Sequence, residues 1–363
     1  MVASPKELFQ RLAKGVVDQN VALEQISVSL YKHIRGIKVG NIMLIGNSGT
    51  GKTTIMRTIE TVFEQDEQLS KFTNTIRLNA NIVANQVSSE PENSVIIERL
   101  RQNALRIMGQ DPSIERFRNL MENGVVFLDE VDKIRGMVGD QPNPVGILTQ
   151  EALLTLIEGE GVRLPLTLRE GEELVSHKVH LDTGRILFIC GGAFEGLYDM
   201  VYRRVASGEH RDKLVQEYLV NESQEDMEQK EHFSLQNYVR YEDLFTYGMA
   251  PQFLGRFDEV IVLNDLSVQA LMRIFIEPPT APFREAKRYF RSLGIDLQIT
   301  KDGLRMLAER AQEDHRLGAR ALRMVFKRVL RGIEFDPHES YFLEEKNGRK
   351  VLTLTKDVIN SYS

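Results

Sequence analysis

The chain has 363 residues, enough for two or three domains and a sizeable core, with 42 % hydrophobic and 27 % charged residues, an ordinary balance for a soluble globular protein. Its formal net charge of −6 gives no global basic bias towards nucleic acid or membrane. No apolar run approaches the ~20 residues of a membrane span, no signal-type segment opens the sequence, and one cysteine, Cys190, excludes disulfides within the chain and cysteine-based zinc modules, so a reducing cytoplasm is expected.

In chain order, Ser4-Pro5-Lys6-Glu7 reads as a capping box with proline at the first helical position and predicts a helix to about Lys14. Ile42 to Ile45 form a short apolar run that suits a buried strand. Gly46-Asn47-Ser48-Gly49-Thr50-Gly51-Lys52-Thr53 follows and matches the pattern Gly, four residues, Gly-Lys-Ser/Thr. Ile55, Ile59 and Phe63 at four-residue spacing predict a helix next. The stretches "TIRL" (75–78), "GVVFLDE" (124–130), "RILFIC" (185–190) and "EVIVL" (259–263) are further strand candidates with helical stretches between them. That alternation predicts an α/β domain with a mostly parallel sheet covered on both faces. Residues 204–240 are polar and charge-dense and read as an exposed insertion. From about 265 the chain turns helical, with Leu322, Val325, Phe326, Val329, Leu330 and Ile333 on one helix face, and a strand-like "KVLTLT" (350–355) closes it. The expected division is a large α/β domain over 1–264 and a mainly helical small domain over 265–363.

The glycine-rich octapeptide carries the clearest chemistry. Its glycines let the backbone wrap a phosphate and aim N–H groups inward, Lys52 reaches β- and γ-phosphates, and the Thr53 hydroxyl can ligate Mg²⁺. The next helix turns its positive end to the phosphates. The loop therefore binds a nucleoside triphosphate; its set is Asn47, Ser48, Gly49, Thr50, Gly51, Lys52, Thr53 and the following Thr54. "VVFLDEVDK" (125–133) is the second motif: Asp129 at a strand end is assigned to the metal through its water shell, and Glu130 to polarising the attacking water. Asp132 and Lys133 read as a surface pair. "PQFLGRFDEV" (251–260) sets Arg256 near the edge of the sheet domain. It is either a salt-bridged surface residue or, in a ring of subunits, a group that stabilises a neighbour's γ-phosphate. "LGARALR" (317–323) places Arg320 at the start of a small-domain helix, where it could couple nucleotide state to domain angle. His177 and His180 lie in a hairpin-like stretch unsuited to a metal, and Cys190 reads as core. The basic, aromatic-interleaved "KRYFR" (287–291) and "RMVFKRVLR" (323–331) read as helix faces better than as nucleic-acid contacts.

Together these residues resemble the AAA+ ATPases, and within them the ClpX/HslU group of protein unfoldases. Beyond the nucleotide motifs, the resemblance rests on "ALLTLIEG" (152–159), "ILFICGGAF" (186–194), "PQFLGRF" (251–257) and "GARALR" (318–323), and it spans about residues 5 to 360. It implies ATP and Mg²⁺ as ligands, base contacts from Val16 and Val17 within "VVDQNVA" (16–22), Arg256 as a trans-acting finger and Arg320 as a second sensor. Asp18 stands where this group usually has Gly, and the first-sensor position falls in "CGG" (190–192). It further implies a homo-oligomeric ring, taken as a hexamer, acting on a protein partner; no membrane is expected, and the acidic charge disfavours nucleic acid. The departures concern substrate and protease. The sequence starts at the ATPase module, without the group's zinc domain. No Ile-Gly-Phe-type loop for the ClpP peptidase is found in 204–240, where Gly208 is the one glycine. The stretch 79–95, in the place of the pore loop, has no aromatic and offers Val83 or Val87 as the gripping residue. A basic Arg-Lys-His pore entrance is missing, and 161–180 reads instead as a hairpin of mixed charge. The expectation is a ClpX-like remodelling ATPase independent of ClpP. A nucleotide-controlled switch or scaffold is the alternative, and a nucleic-acid motor is a third reading that the acidic charge disfavours.

Overall fold

Ile42, Met43, Leu44 and Ile45, each 0 % exposed, form an inner strand of the larger sheet. The structure is a computed structural model that describes residues 4–38, 40–87, 90–109, 112–139, 141–159, 161–170, 173–207, 215–220, 227–232, 235–313, 317–338, 342–346 and 348–362. In chain order the strands are β1 (Asn41–Ile45), β2 (Thr75–Asn79), β3 (Val125–Asp129), β4 (Met137–Val138), β5 (Gln141–Pro142), β6 (Gly161–Glu170), β7 (Glu173–Asp182), β8 (Leu187–Gly192), β9 (Val215–Val220), β10 (Met227–His232), β11 (Phe257–Val262), β12 (Ile295–Ile299), β13 (Leu343–Lys346) and β14 (Arg349–Leu354).

The chain forms two compact units, the first made of Met1–Leu8, Glu24–Ile45 and Ile59–Val262. Its five-stranded sheet runs β11-β1-β8-β3-β2, and every neighbouring pair is parallel. β1, β3 and β8 have neighbours on both sides and are apolar almost throughout, as strands covered on both faces must be. The predicted strands 75–78, 124–130, 185–190 and 259–263 are thus all in this sheet. β6 and β7 form an antiparallel hairpin with residues of one face, among them Leu164, Leu166 and Val179, buried in the first unit's core. Arg163, Arg169, Lys178 and His180 lie on the opposite, exposed face together with Asp182, because residues two apart in a strand share a side, so that face carries both signs of charge. Of the expected insertion over 204–240, the described parts are the end of a helix Leu197–Ser207, an antiparallel β9–β10 pair and a helix Leu235–Tyr238. Gly208 lies outside the described residues.

The second unit joins Phe9–Leu23 and Gly46–Thr58 to Leu263–Ser363. Its core centres on the helix Ala319–Phe335, whose Leu322, Phe326, Val329, Leu330 and Ile333 are buried while Val325 is half-buried. Phe326 meets Phe275 edge to face, ring centroids 4.7 Å apart. A three-stranded sheet, β12-β14-β13, completes the unit and contains the predicted strand near 350–355. No helix among the described residues is long and apolar enough to cross a membrane.

Candidate nucleotide site

Within the second unit, the loop from Gly46 leads straight into the helix Lys52–Gln65, and its bends need glycine: φ is +80° at Gly49 and +111° at Gly51. Gly49 also has no room for a side chain, since a Cβ there would lie 2.2 Å from the Leu317 carbonyl oxygen. Gly318, itself at φ +49°, abuts the loop in return, and Ala319 N donates to Gly49 O at 3.3 Å. Arg320, one residue on, donates from Nη1 to Ser48 Oγ at 2.7 Å. Lys52 is 8 % exposed, and its Nζ donates to the carbonyls of Gly46 and, at 2.9 Å, Asn47. Two cations therefore converge on a glycine-rich turn at a helix N-terminus, and the Cβ direction at Gly51 meets open space. That donor set fits a triphosphate. Thr53 is half-buried in the helix's first turn, whereas Thr54 is exposed and contributes its carbonyl to Thr58 Oγ1.

The stretch before the loop is bound into the same unit. Val16 is buried and Val17 half-buried. Asp18 sits at φ +65°, a left-handed conformation that explains why glycine suits this place, and its Oδ2 accepts from Ser267 Oγ at 3.3 Å. Gln19, which sequence reasoning passed over, is 2 % exposed and ties three segments: Nε2 donates to Thr50 O (3.1 Å) and Asn264 O (2.9 Å), and Oε1 accepts from Asn264 N (3.1 Å). Asn47 Nδ2 adds a bond to Asp265 Oδ1 at 2.9 Å.

Asp129, Glu130 and Arg256 belong to the first unit. β3 ends at Asp129, whose Oδ1 accepts the N–H of Glu130 at 2.9 Å. Glu130 takes a left-handed conformation (φ 58°, ψ 37°), uncommon for a side chain of this kind. Its Oε2 accepts from Asn79 Nδ2 at 2.6 Å. Asn79 is the second residue the sequence reading missed as a site residue; it stands opposite Asp129 in the β2–β3 register. Arg256 immediately precedes edge strand β11 and donates from Nη2 to Glu158 Oε1, at the end of the helix Pro144–Glu158. Two readings are corrected. Asp132 is no surface residue: it is 2 % exposed, turned inward by the short helical turn Val131–Ile134. Val83, offered as a gripping residue, packs into the core at 4 % exposure, because the helix Ala80–Ala84 faces it inward, while Val87 is 40 % exposed. Cys190 is fully buried, which pushes its thiol pKa up and keeps it inert, as core placement predicts.

The family profile described as AAA domain (Cdc48 subfamily) matches residues 37–260. Among curated proteins, the chain is 30 % identical over 92 % of its length, and 77 % of the other's, to "ATP-dependent Clp protease ATP-binding subunit ClpX 3" of Methylococcus capsulatus. The ClpX subunit of Treponema denticola is 28 % identical, covering 100 % of this chain and 82 % of the relative, and that of Azotobacter vinelandii is 30 % identical, covering 92 % and 74 %. A parallel α/β sheet, a phosphate loop directly after its inner strand β1 and these relatives converge: the chain belongs to the AAA family of ATPases and is ClpX-like.

Proposed function

We propose that this ATPase spends hydrolysis on short-range remodelling of one dedicated protein partner, as a homo-oligomeric ring, taken as a hexamer, that works without ClpP. The observation that carries the coupling is the Arg320–Ser48 bond at 2.7 Å, which links the phosphate loop to the first turn of a helix in the 265–363 segment. In this reading 1–264 is the ATPase domain and 265–363 the small domain. Val16 and Val17 contact the base, and the loop residues 47–54 with Lys52 and Arg320 hold the triphosphate. Glu130 takes the proton of the attacking water on Oε1, since Oε2 is engaged by Asn79 Nδ2. Thr53 and Asp129 would hold Mg²⁺, which supplies charge neutralisation across the β- and γ-phosphates. Arg256 serves the neighbouring subunit's site.

Against processive threading stands the stretch 79–95. It lacks an aromatic, and of its two candidate grippers Val83 is buried, which leaves the small side chain of Val87. The same observation favours the second reading, a nucleotide-controlled switch that moves no chain. A stably folded fluorescent reporter with a generic tag separates these from an unfoldase. Little ATP-dependent loss of fluorescence is expected, and no ATP-dependent proteolysis on adding ClpP. Robust unfolding or degradation would overturn the proposal. Affinity capture with a Glu130→Gln variant in ATP then distinguishes remodelling from switching, by assaying ATP-dependent structural change in the captured partner.

A further inference from the structure

We propose that Asp132 is a positioning residue that holds the Glu130 turn against the end of β8. The parallel ladder between β3 and β8 stops at Leu128↔Cys190. Beyond it, β3 turns through left-handed Glu130, and β8 ends at Gly192, followed by Ala193 and Phe194. Asp132 ties the two segments together. Its Oδ1 accepts the N–H of Ala193 at 3.1 Å, and its side chain is 1 % exposed.

The surroundings are built to that carboxylate. A Cβ on Gly192 would lie 2.7 Å from Asp132 Oδ1 and 2.7 Å from the Phe194 ring, so glycine in the "CGG" run is what admits the bridge. Phe194 is a non-glycine residue at φ 50°, 2 % exposed, its ring 5.3 Å from that of Tyr247. The Arg135 guanidinium lies 4.9 Å from the centre of the Tyr247 ring, returning the path to the end of the turn that Glu130 begins. Opposite, Asn79 fixes the Glu130 carboxylate. Asp132 Oδ2 is buried without a hydrogen bond, 3.7 Å from Lys133 Nζ. A buried acceptor left unbonded is unfavourable for folding, and such a cost is retained most readily where geometry serves function.

The inference rests on the reading of Glu130 as the water-activating group. Asp132→Ala should lower kcat by up to about a hundredfold, the scale on which a misplacement of about 1 Å acts, while KM and equilibrium ATP binding stay within about twofold. Hydrogen exchange at the Ala193 amide should lose protection. Asp132→Asn keeps an oxygen for Ala193 N–H and should restore kcat to within a few-fold of wild type. Gly192→Ala, which pushes the carboxylate aside, should reproduce the kcat loss, and it decides with Asp132→Asn if Asp132→Ala does not fold. Wild-type kcat in Asp132→Ala with an unprotected Ala193 amide overturns the proposal, as does an Asn variant no better than the Ala variant. Glu130→Gln is run alongside: if it is inactive while Asp132→Ala is fully active, only the present inference fails, whereas an active Glu130→Gln removes both.

Discussion

Gly49→Ala tests how tightly the phosphate loop and the segment before the helix Ala319–Phe335 are joined. The added Cβ would lie 2.2 Å from Leu317 O and 2.9 Å from Ala319 N, both backbone atoms. To reach the 3.0 Å floor of real Cβ contacts the two segments must part by about 0.8 Å. The Ala319 N to Gly49 O bond, already 3.3 Å, cannot survive that, and Arg320 is carried off Ser48. A side chain at φ +80° costs about 1–2 kcal/mol, and the lost bonds, one of them from a charged donor, about 2–4 kcal/mol more. Gly51→Ala is the control. It has φ +111° but open space around its Cβ, so it bears backbone strain of about 1–3 kcal/mol alone. At roughly 2–4 °C per kcal/mol, Gly49→Ala should lower the melting transition by roughly 6–24 °C and Gly51→Ala by roughly 2–12 °C. In a Gly49→Ala background, Arg320→Ala should add almost nothing, since its partner is already lost. A Gly49→Ala protein melting within about 1 °C of wild type, or fully additive Arg320→Ala, would refute the argument.

Burial holds the His33 pKa down to about 4 from an ordinary 6.5, with the ring 6 % exposed beside Phe72. The unfolded chain therefore takes up that proton first as pH falls, so about 3 kcal/mol of stability is lost between 6.5 and 4. Urea midpoints should drop from about pH 7 to about pH 5, and His33→Phe should flatten the slope; an unchanged slope contradicts the assignment. Arg204 binds the 5 %-exposed Asp243 through two bonds of 2.7 and 2.8 Å and Tyr238 O through a third at 2.6 Å. Arg204→Lys loses the paired geometry and should cost about 1–2 kcal/mol in denaturant unfolding, and a neutral result would show the pair adds nothing. Arg256→Ala should bind ATP yet hydrolyse it poorly, and mixing with Lys52→Ala subunits should restore part of the activity. No rescue in demonstrated mixed assemblies would mean that Arg256 does not act in trans.

What could be read from the sequence is what depends on local pattern. The buried runs of β1, β3 and β8, the phosphate loop and the apolar face of Ala319–Phe335 all follow from composition and spacing over a few residues. What could not be read depends on which strands become neighbours. Asn79 meets Glu130 only because β2 lies beside β3 with Asn79 opposite Asp129. Arg256 and Glu158 are 98 residues apart in sequence. In "DEVDK", four charged residues out of five read as solvated, and only the helical turn after Glu130 shows that Asp132 points inward. Gln19 shows its place only through three bonds to Thr50 and Asn264, which are far from it in sequence. Val83 lost its role for the same reason, since a single helical turn decides which valine faces the core.

The central claim is that Glu130 activates water for ATP hydrolysis while taking no part in holding the nucleotide. Its most direct test is to measure ATP turnover and ATP affinity on the same preparation of Glu130→Gln. The glutamine keeps the shape and can still accept from Asn79 Nδ2, but it is no base. The account predicts a kcat lower by roughly a hundredfold to ten-thousandfold with affinity within about twofold of wild type. Turnover at the wild-type rate, or loss of binding in place of loss of chemistry, would contradict it.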